Sequence, residues 1–277
     1  MHFITVCRNF ELYKKLFTDN KNISLYKFTV FDNNKENLGI PARYNYFLNN
    51  YDFSAKEWLV FCHEDFNLLE SNFYETLAKL DKNFIYGPIG SRLVEGVLKI
   101  DFNKKSHSFP YKDLIGSIIQ RKKDGSDPHF VGNRIVDPTI VDTVDCCCII
   151  VHSTLIEKFN LRFDEYLSFD LYAEEFCMNA KENHSIESKV LQIKCEHWSS
   201  GNITERYYRG INHLNQKYPK ALYAGTCSFV GGGTLELGKK ASDMIPYVYI
   251  CEKLGITFLV NLALKLAQIL KLKLSSF

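Results

Sequence analysis

The chain has 277 residues, of which 46% are hydrophobic, 24% charged and 14% aromatic, and its formal net charge is +2. That length buries a substantial core in one large domain, or in one domain with an appendage, and the composition excludes a disordered chain. The near-neutral balance supplies no basic field for a polyanion, which excludes nucleic acid as the expected partner.

Met1 leads almost directly into a strand-like run from His2 to Cys7, which is expected to be a first strand and not a secretory signal. Glu11 to Phe17 reads as a helix, and Ile23 to Phe31 as a second strand ending in Asp32-Asn33-Asn34. Pro41 suits a first helical turn, so Pro41 to Asn50 is expected as a short helix. Trp58 to Cys62 is an apolar strand that runs straight into His63-Glu64-Asp65. Ser71 to Leu80 reads as a helix and Phe84 to Ile89 as a strand, while residues 90–137, with their Gly, Lys and Asp clusters, read as loop and turn. Ile140 to Val151 is expected as one strand and Ser153 to Phe159 as a helix. Phe169 to Lys181 is a further helix, with Glu174 and Glu175 near its start. Lys189 to Cys195 is a strand delivering Glu196-His197-Trp198, Thr204 to Tyr218 is a helix, and Gly231-Gly232-Gly233 is a flexible joint.

This alternation of strands and helices predicts a layered α/β fold around a mostly parallel sheet. The division expected is a domain over 1–220 and a C-terminal extension over 221–277. In that extension Leu254 to Leu274 is apolar except for Thr257, Asn261, Lys265 and Gln268, which share one helical face, and Lys271 and Lys273 follow. A spanning helix needs ~20 mostly apolar residues. The polar stripe fits better a helix lying at a membrane surface, or one docked on a partner or on its own domain. Self-association into a homo-oligomer stays open.

The nine cysteines form no C-x-x-C pair, and Cys146-Cys147-Cys148 lie in an apolar run where they act as small hydrophobes. Reduced, buried thiols point to a reducing, cytoplasmic compartment.

The chemistry gathers where strands end in acids. In an open α/β sheet, ligands bind beyond the carboxyl ends of the strands, so His63-Glu64-Asp65 is expected to face a ligand. A divalent cation held there by one or two carboxylates keeps free positions for substrate phosphates. Asp145, just before the cysteine run, either begins a strand or faces that ligand, and Trp198 either stacks on a sugar or packs on the core.

Taken together, these positions resemble the family-2-like glycosyltransferases of the GT-A fold, over roughly residues 2 to 215. Asp32 looks like the second-strand aspartate that contacts the nucleotide base. Asn37-Leu38-Gly39, followed by Ala42-Arg43-Tyr44-Asn45, is similar to the family's Asn-x-Gly and Ala-Arg-Asn, and His63-Glu64-Asp65 stands at its Asp-x-Asp position. Four departures are His63 for the first aspartate, Glu175 where an aspartate is usual, Tyr44 next to the asparagine where arginine is expected, and a connection from Asp32 to Asn37 too short for the helix most relatives have there. The resemblance implies an inverting, metal-dependent transfer from a nucleotide-sugar donor to a glycan or lipid-linked acceptor, as in building a surface polysaccharide or lipopolysaccharide, at the inner face of the membrane. It implies Asp32, Asn37, Gly39, Arg43, Asn45, His63 and Glu64 as donor-binding residues, Asp65 and His197 as ligands of Mn²⁺ or Mg²⁺, and Glu175 as general base. Asp145, Glu174 and Trp198 fall on the acceptor side. The competing reading is a catalytically silent member of the same fold that binds a nucleotide or glycan, or scaffolds a synthesis complex.

Overall fold

The computed structural model describes residues 1–94, 111–199 and 204–232. The chain begins with β1 (His2–Cys7), α1 (Phe10–Tyr13), which runs on as a π-helical turn to Thr18, β2 (Lys27–Asp32), α2 (Ile40–Asn49), β3 (Trp58–Cys62), β4 (Phe66–Leu68) and α3 (Phe73–Ala78). Next come β5 (Ile85–Gly87), β6 (Ile89–Val94), β7 (Tyr111–Arg121), β8 (His129–Asn133), β9 (Thr139–Val141), β10 (Thr143–Val144), β11 (Cys148–His152) and α4 (Ser153–Phe159). The described chain closes with α5 (Tyr172–His184), β12 (Ser188–Val190), β13 (Cys195–Trp198), α6 (Glu205–Lys217), β14 (Tyr223–Ala224) and β15 (Phe229–Val230).

The main sheet has seven strands in the order β2-β1-β3-β11-β5-β12-β9. β1 is parallel to both β2 and β3, and β12 is parallel to β5, whereas β11 and β9 run against their neighbours. Five of the seven strands therefore share one direction, and the fold is mixed α/β with a mostly parallel sheet. The centre of that sheet is buried on both faces, so β3 reads as an unbroken apolar run, Trp-Leu-Val-Phe-Cys, with every residue buried. Its Phe61 packs with Tyr44, Phe163 and Tyr172 in one aromatic cluster.

Residues 90–137 depart from the loop expected of them. Among them β6, β7 and β8 form antiparallel ladders in a second sheet, ordered β10-β6-β7-β13-β4 with β8 on β7. The Lys and Gly cluster is only the turn between β7 and β8, closed by Gly125 N–H on the Lys122 carbonyl (2.8 Å). Gly116 interrupts the strand pattern of β7 for a packing reason. Its φ is +78°, and an added Cβ would lie 2.3 Å from Val190 Cγ1 and 2.4 Å from the Pro88 carbonyl oxygen.

The single strand expected over Ile140 to Val151 is likewise divided into β9, β10 and β11. The Asp145 carboxylate accepts the Cys147 N–H (2.9 Å), which turns the chain away from β10 before β11 begins. The eight described cysteines are free thiols, and Cys147 and Cys148 are fully buried. Among the described residues no helix is long and apolar enough to cross a membrane.

The chain divides into two units, Met1–Gly201 with Leu222–Val230, and Asn202–Ala221 with Gly231–Phe277. Helix α6, expected inside a 1–220 domain, thus groups with the C-terminal residues, and the β14–β15 hairpin groups with the first unit. In the second unit α6 carries an Arg209–Glu205 ion pair one turn apart, and the Gly232 N–H donates to the Tyr218 carbonyl (3.0 Å). The helix expected over 254–274 lies outside the described residues.

Candidate metal centre and its acids

Parallel pairing brings the carboxyl ends of β1, β2 and β3 to one edge of the main sheet. His63, Glu64 and Asp65 follow β3 at that edge. Because β11 is antiparallel to β3 with Cys148 opposite Cys62, the turn carrying Asp145, Cys146 and Cys147 lies there too, pinned by His63 N–H on the Cys147 carbonyl (3.1 Å). β4 leaves Asp65 and pairs with β13, placing His197 opposite Phe66, and the Trp198 N–H donates to the Asp65 carbonyl (2.9 Å). The first turn of α5 adds Tyr172 and Glu174.

Asp65 Oδ1 is 3.2 Å from His197 Nε2 and 3.8 Å from His63 Nδ1. These three side chains offer ligand atoms within 4.8 Å of one another, and Asp145, Cys147 and His197 make a second such group. Asp65 Oδ1 and His197 Nε2 are buried and face each other as a close imidazole–carboxylate pair, without the alignment of an ordinary hydrogen bond. A buried imidazole and a buried carboxylate converging on one point fit a divalent cation that takes the place of the proton between them, and the mixed imidazole and carboxylate set is a metal-binding one. The His63 ring is held from both sides, with Nε2 2.9 Å from the Tyr172 hydroxyl and Phe169 stacked 5.8 Å away.

The protonation states follow from these neighbours. Burial pushes the His63 ring below the usual histidine range, only partly offset by Asp65. Burial acts the same way on His197, but Asp65 and Asp145 outweigh it and hold that ring above its ordinary value. Burial disfavours the charged form of Asp65, yet His197 and His63 pull its pKa below normal, and His197 together with donated hydrogen bonds does the same for Asp145. For Glu174 the compensation, from a backbone hydrogen bond and the Lys112 ammonium, is too small to offset its surroundings. Burial, then the nearby Asp145 carboxylate, push it up to about 8.

Three residues of this neighbourhood escaped the sequence reading. Tyr172 orients His63, Thr226 donates its hydroxyl to Asp145 Oδ2 (2.8 Å), and Lys112 donates its ammonium to the Gly225 and Thr226 carbonyls (3.2 and 2.9 Å). Lys112 stands in the segment read as loop and Thr226 beyond the segment read as catalytic, so neither carried a local signal. A tyrosine just before an acidic pair was visible, but its partner 109 positions away was not.

The other expected residues differ in what holds them. Asp32, Asn37 and Arg43 line the same sheet edge near the end of β2. Asp32 accepts the Asn34 N–H (2.9 Å), Asn37 accepts the Arg8 guanidinium, and Arg43 reaches Asn33 Oδ1 (3.4 Å) and Glu36 Oε2 (3.5 Å). Gly39, Asn45 and Glu64 are occupied in shaping the backbone. A Cβ on Gly39 would sit 2.8 Å from Ser168 Cα, Asn45 is bonded to both backbone groups of Phe163, and Glu64 Oε2 accepts the Arg8 and Asn9 N–H groups. Trp198 offers no stacking surface: it is buried, its indole N–H donates to Glu196 Oε2 (2.8 Å), and the Lys15 ammonium lies 4.5 Å from its ring centre. Glu175, next to Glu174 on α5, is buried at 1% exposure.

No family model matches the chain, and no curated protein matches it. Solved structures similar to it include A197 from STIV, at 13% identity and a TM-score of 0.41, over 71% of this chain and 84% of that one. They also include S. aureus TarS 1–349, at 12% identity and a TM-score of 0.43, over 78% of this chain and 64% of that one. The same TarS segment in complex with UDP aligns at 12% identity and a TM-score of 0.42, over 76% and 62% of the two chains. This chain thus spans less than two thirds of that TarS segment.

Proposed function

We propose that this protein is an inverting, metal-dependent glycosyltransferase of the GT-A type, moving a sugar from a nucleoside-diphosphate sugar to a hydroxyl of a glycan or lipid-linked acceptor. The observation that carries the proposal is the meeting of Asp65, His63, His197 and Asp145 at the carboxyl edge of the parallel strands, with Glu174 beside them.

Asp65 and His197 would hold the divalent ion, which supplies Lewis-acid compensation for the charge that builds on the departing diphosphate. The chain's own groups do the rest. Asp32, Asn37 and Arg43 border the edge where a nucleotide would lie, and Glu64 and Asn45 set the loops that shape it. The acceptor oxygen bonds to the anomeric carbon as the bond from that carbon to the diphosphate oxygen breaks. The diphosphate takes the electron pair, the configuration inverts, and the acceptor proton passes to a glutamate carboxylate at the start of α5. For that base the family resemblance names Glu175, while the field shared with Asp145 favours Glu174.

The test is calorimetry of uridine, guanosine and cytidine diphosphates with and without Mn²⁺. At least one nucleotide should bind more tightly with the ion, and Asp65→Ala should abolish that gain. Equal metal-linked affinity in wild type and variant removes the metal role; metal-linked binding without transfer to any acceptor, and without donor hydrolysis, favours the silent binding protein.

A further inference from the structure

We propose that His63 is a third ligand of the metal, held by Tyr172 in the tautomer whose Nδ1 carries the lone pair, and that the resulting two-imidazole site prefers a first-row transition ion over Mg²⁺. The inference rests on the metal-dependent reading above and sharpens it to a class of ion.

The tautomer follows from counting protons. The Tyr172 hydroxyl lies 2.9 Å from His63 Nε2 and donates to the Cys146 carbonyl at 3.1 Å. A carbonyl can only accept, so both contacts of the hydroxyl are satisfied together only when its proton lies on the Cys146 carbonyl and Nε2–H of His63 donates to the tyrosine oxygen, which is the arrangement assigned to the site. Nδ1 then carries no proton. It is also the nitrogen that faces Asp65, 3.8 Å from Oδ1. Tyr172 is itself rigid, fully buried with its ring against Tyr44 and Phe163. It thus does for His63 what outer partners do for ligating histidines generally, fixing both ring orientation and tautomer.

The preference follows from the donors. Mg²⁺ is a hard ion that demands oxygen ligands in near-octahedral array and sheds water reluctantly. Imidazole nitrogen suits iron, cobalt, nickel and zinc, with affinity rising from Mn²⁺ towards the later ions. Two imidazoles and one carboxylate at the centre, with Asp145 adjoining, tilt the site from the first class of ion to the second. A carboxylate at position 63 would tilt it back.

The experiment uses the full-length chain and metal alone. Co²⁺ is titrated while visible absorption is followed, Mg²⁺ is offered as competitor, and the ring nitrogens of His63 are read by ¹⁵N NMR. Co²⁺ should bind at least tenfold more tightly than Mg²⁺. His63→Ala should weaken Co²⁺ by about 10- to 100-fold and Tyr172→Phe by about tenfold, in the range that loss of metal-site partners produces. His63→Asp should narrow the gap between the ions. The apo spectrum should show protonated Nε2 in wild type and a tautomer mixture in Tyr172→Phe. Should that variant fail to fold, the two His63 variants decide the matter. Equal affinities for Co²⁺ and Mg²⁺, or wild-type Co²⁺ affinity in His63→Ala while Asp65→Ala binds none, overturns the role of His63 and leaves the metal site standing. Absence of any ion from the wild-type protein overturns the metal-dependent reading as well.

Discussion

At the scale of residues, the neighbours Glu174 and Glu175 carry the sharpest question. Adjacent positions on a helix point about 100° apart, so only one of them faces a given substrate. Glu174, raised to about 8, keeps its proton at neutral pH and becomes a base only as pH climbs through that value. If it takes the acceptor proton, transfer should rise with pH to a plateau above about 8, and Glu174→Gln should lower turnover by ~10²–10⁴-fold with donor binding preserved. If Glu175 is the base, Glu175→Gln shows that loss and Glu174→Gln does not. Stability supplies a second measurement. A carboxyl whose folded pKa lies above its unfolded value of 4.5 favours the fold fully below that value and loses the contribution as pH rises to about 8. Glu174→Gln should therefore gain thermal stability relative to wild type over that interval.

At the scale of elements, the agreement between sequence and structure has a physical pattern. β1, β3 and α4 occupy the residues expected of them: the two strands are apolar runs buried almost throughout, and α4 is amphipathic, with Leu155 and Ile156 buried and Glu157 and Lys158 exposed. β3 is the clearest case, and the triplet that follows it is where Asp65 and His63 were sought and lie. The loop expectation for 90–137 missed β6, β7 and β8, since those strands sit in a second sheet whose glycines break the alternation on which a strand reading depends. Gly116 makes that point testable. Its Cβ-free contact with the Pro88 carbonyl and Val190, at φ +78°, leaves no room for a methyl group. Gly116→Ala should destabilise the protein by roughly 1–3 kcal/mol from backbone strain alone, more with the clash, read as a lower urea midpoint at unchanged slope. The pairing of β13 with β4, which carries His197 to Asp65, was equally beyond the sequence, because no local property records which strands from distant segments will meet.

At the scale of the whole molecule, some residues sought as contacts to a nucleotide-sugar donor are instead committed to holding distant segments of the chain together. Asn45, sought as a contact to the donor, is engaged with protein. Its amide donates to the Phe163 carbonyl (2.8 Å) and to Glu165 Oε1 (2.9 Å), and its oxygen accepts the Phe163 N–H (2.9 Å), across 118 positions of sequence. That clamp has a kinetic meaning. Bringing together segments so far apart costs loop-closure entropy that shorter-range contacts must first offset. The clamp is therefore expected to close after the folding barrier has been crossed. Interactions absent from the transition state govern how fast a protein opens, not how fast it forms. Asn45→Ala, by leaving the Phe163 backbone groups unpaired at ~1–3 kcal/mol, should speed unfolding in stopped-flow denaturant jumps while refolding stays near the wild-type rate. In hydrogen exchange, the Phe163 amide should be among the slowest in the molecule. An edge assembled from β2, α2 and the segment after α4 is then expected to be complete only in chains that have finished folding, with the buried amide of Asn45 among the contacts that set how long it stays closed.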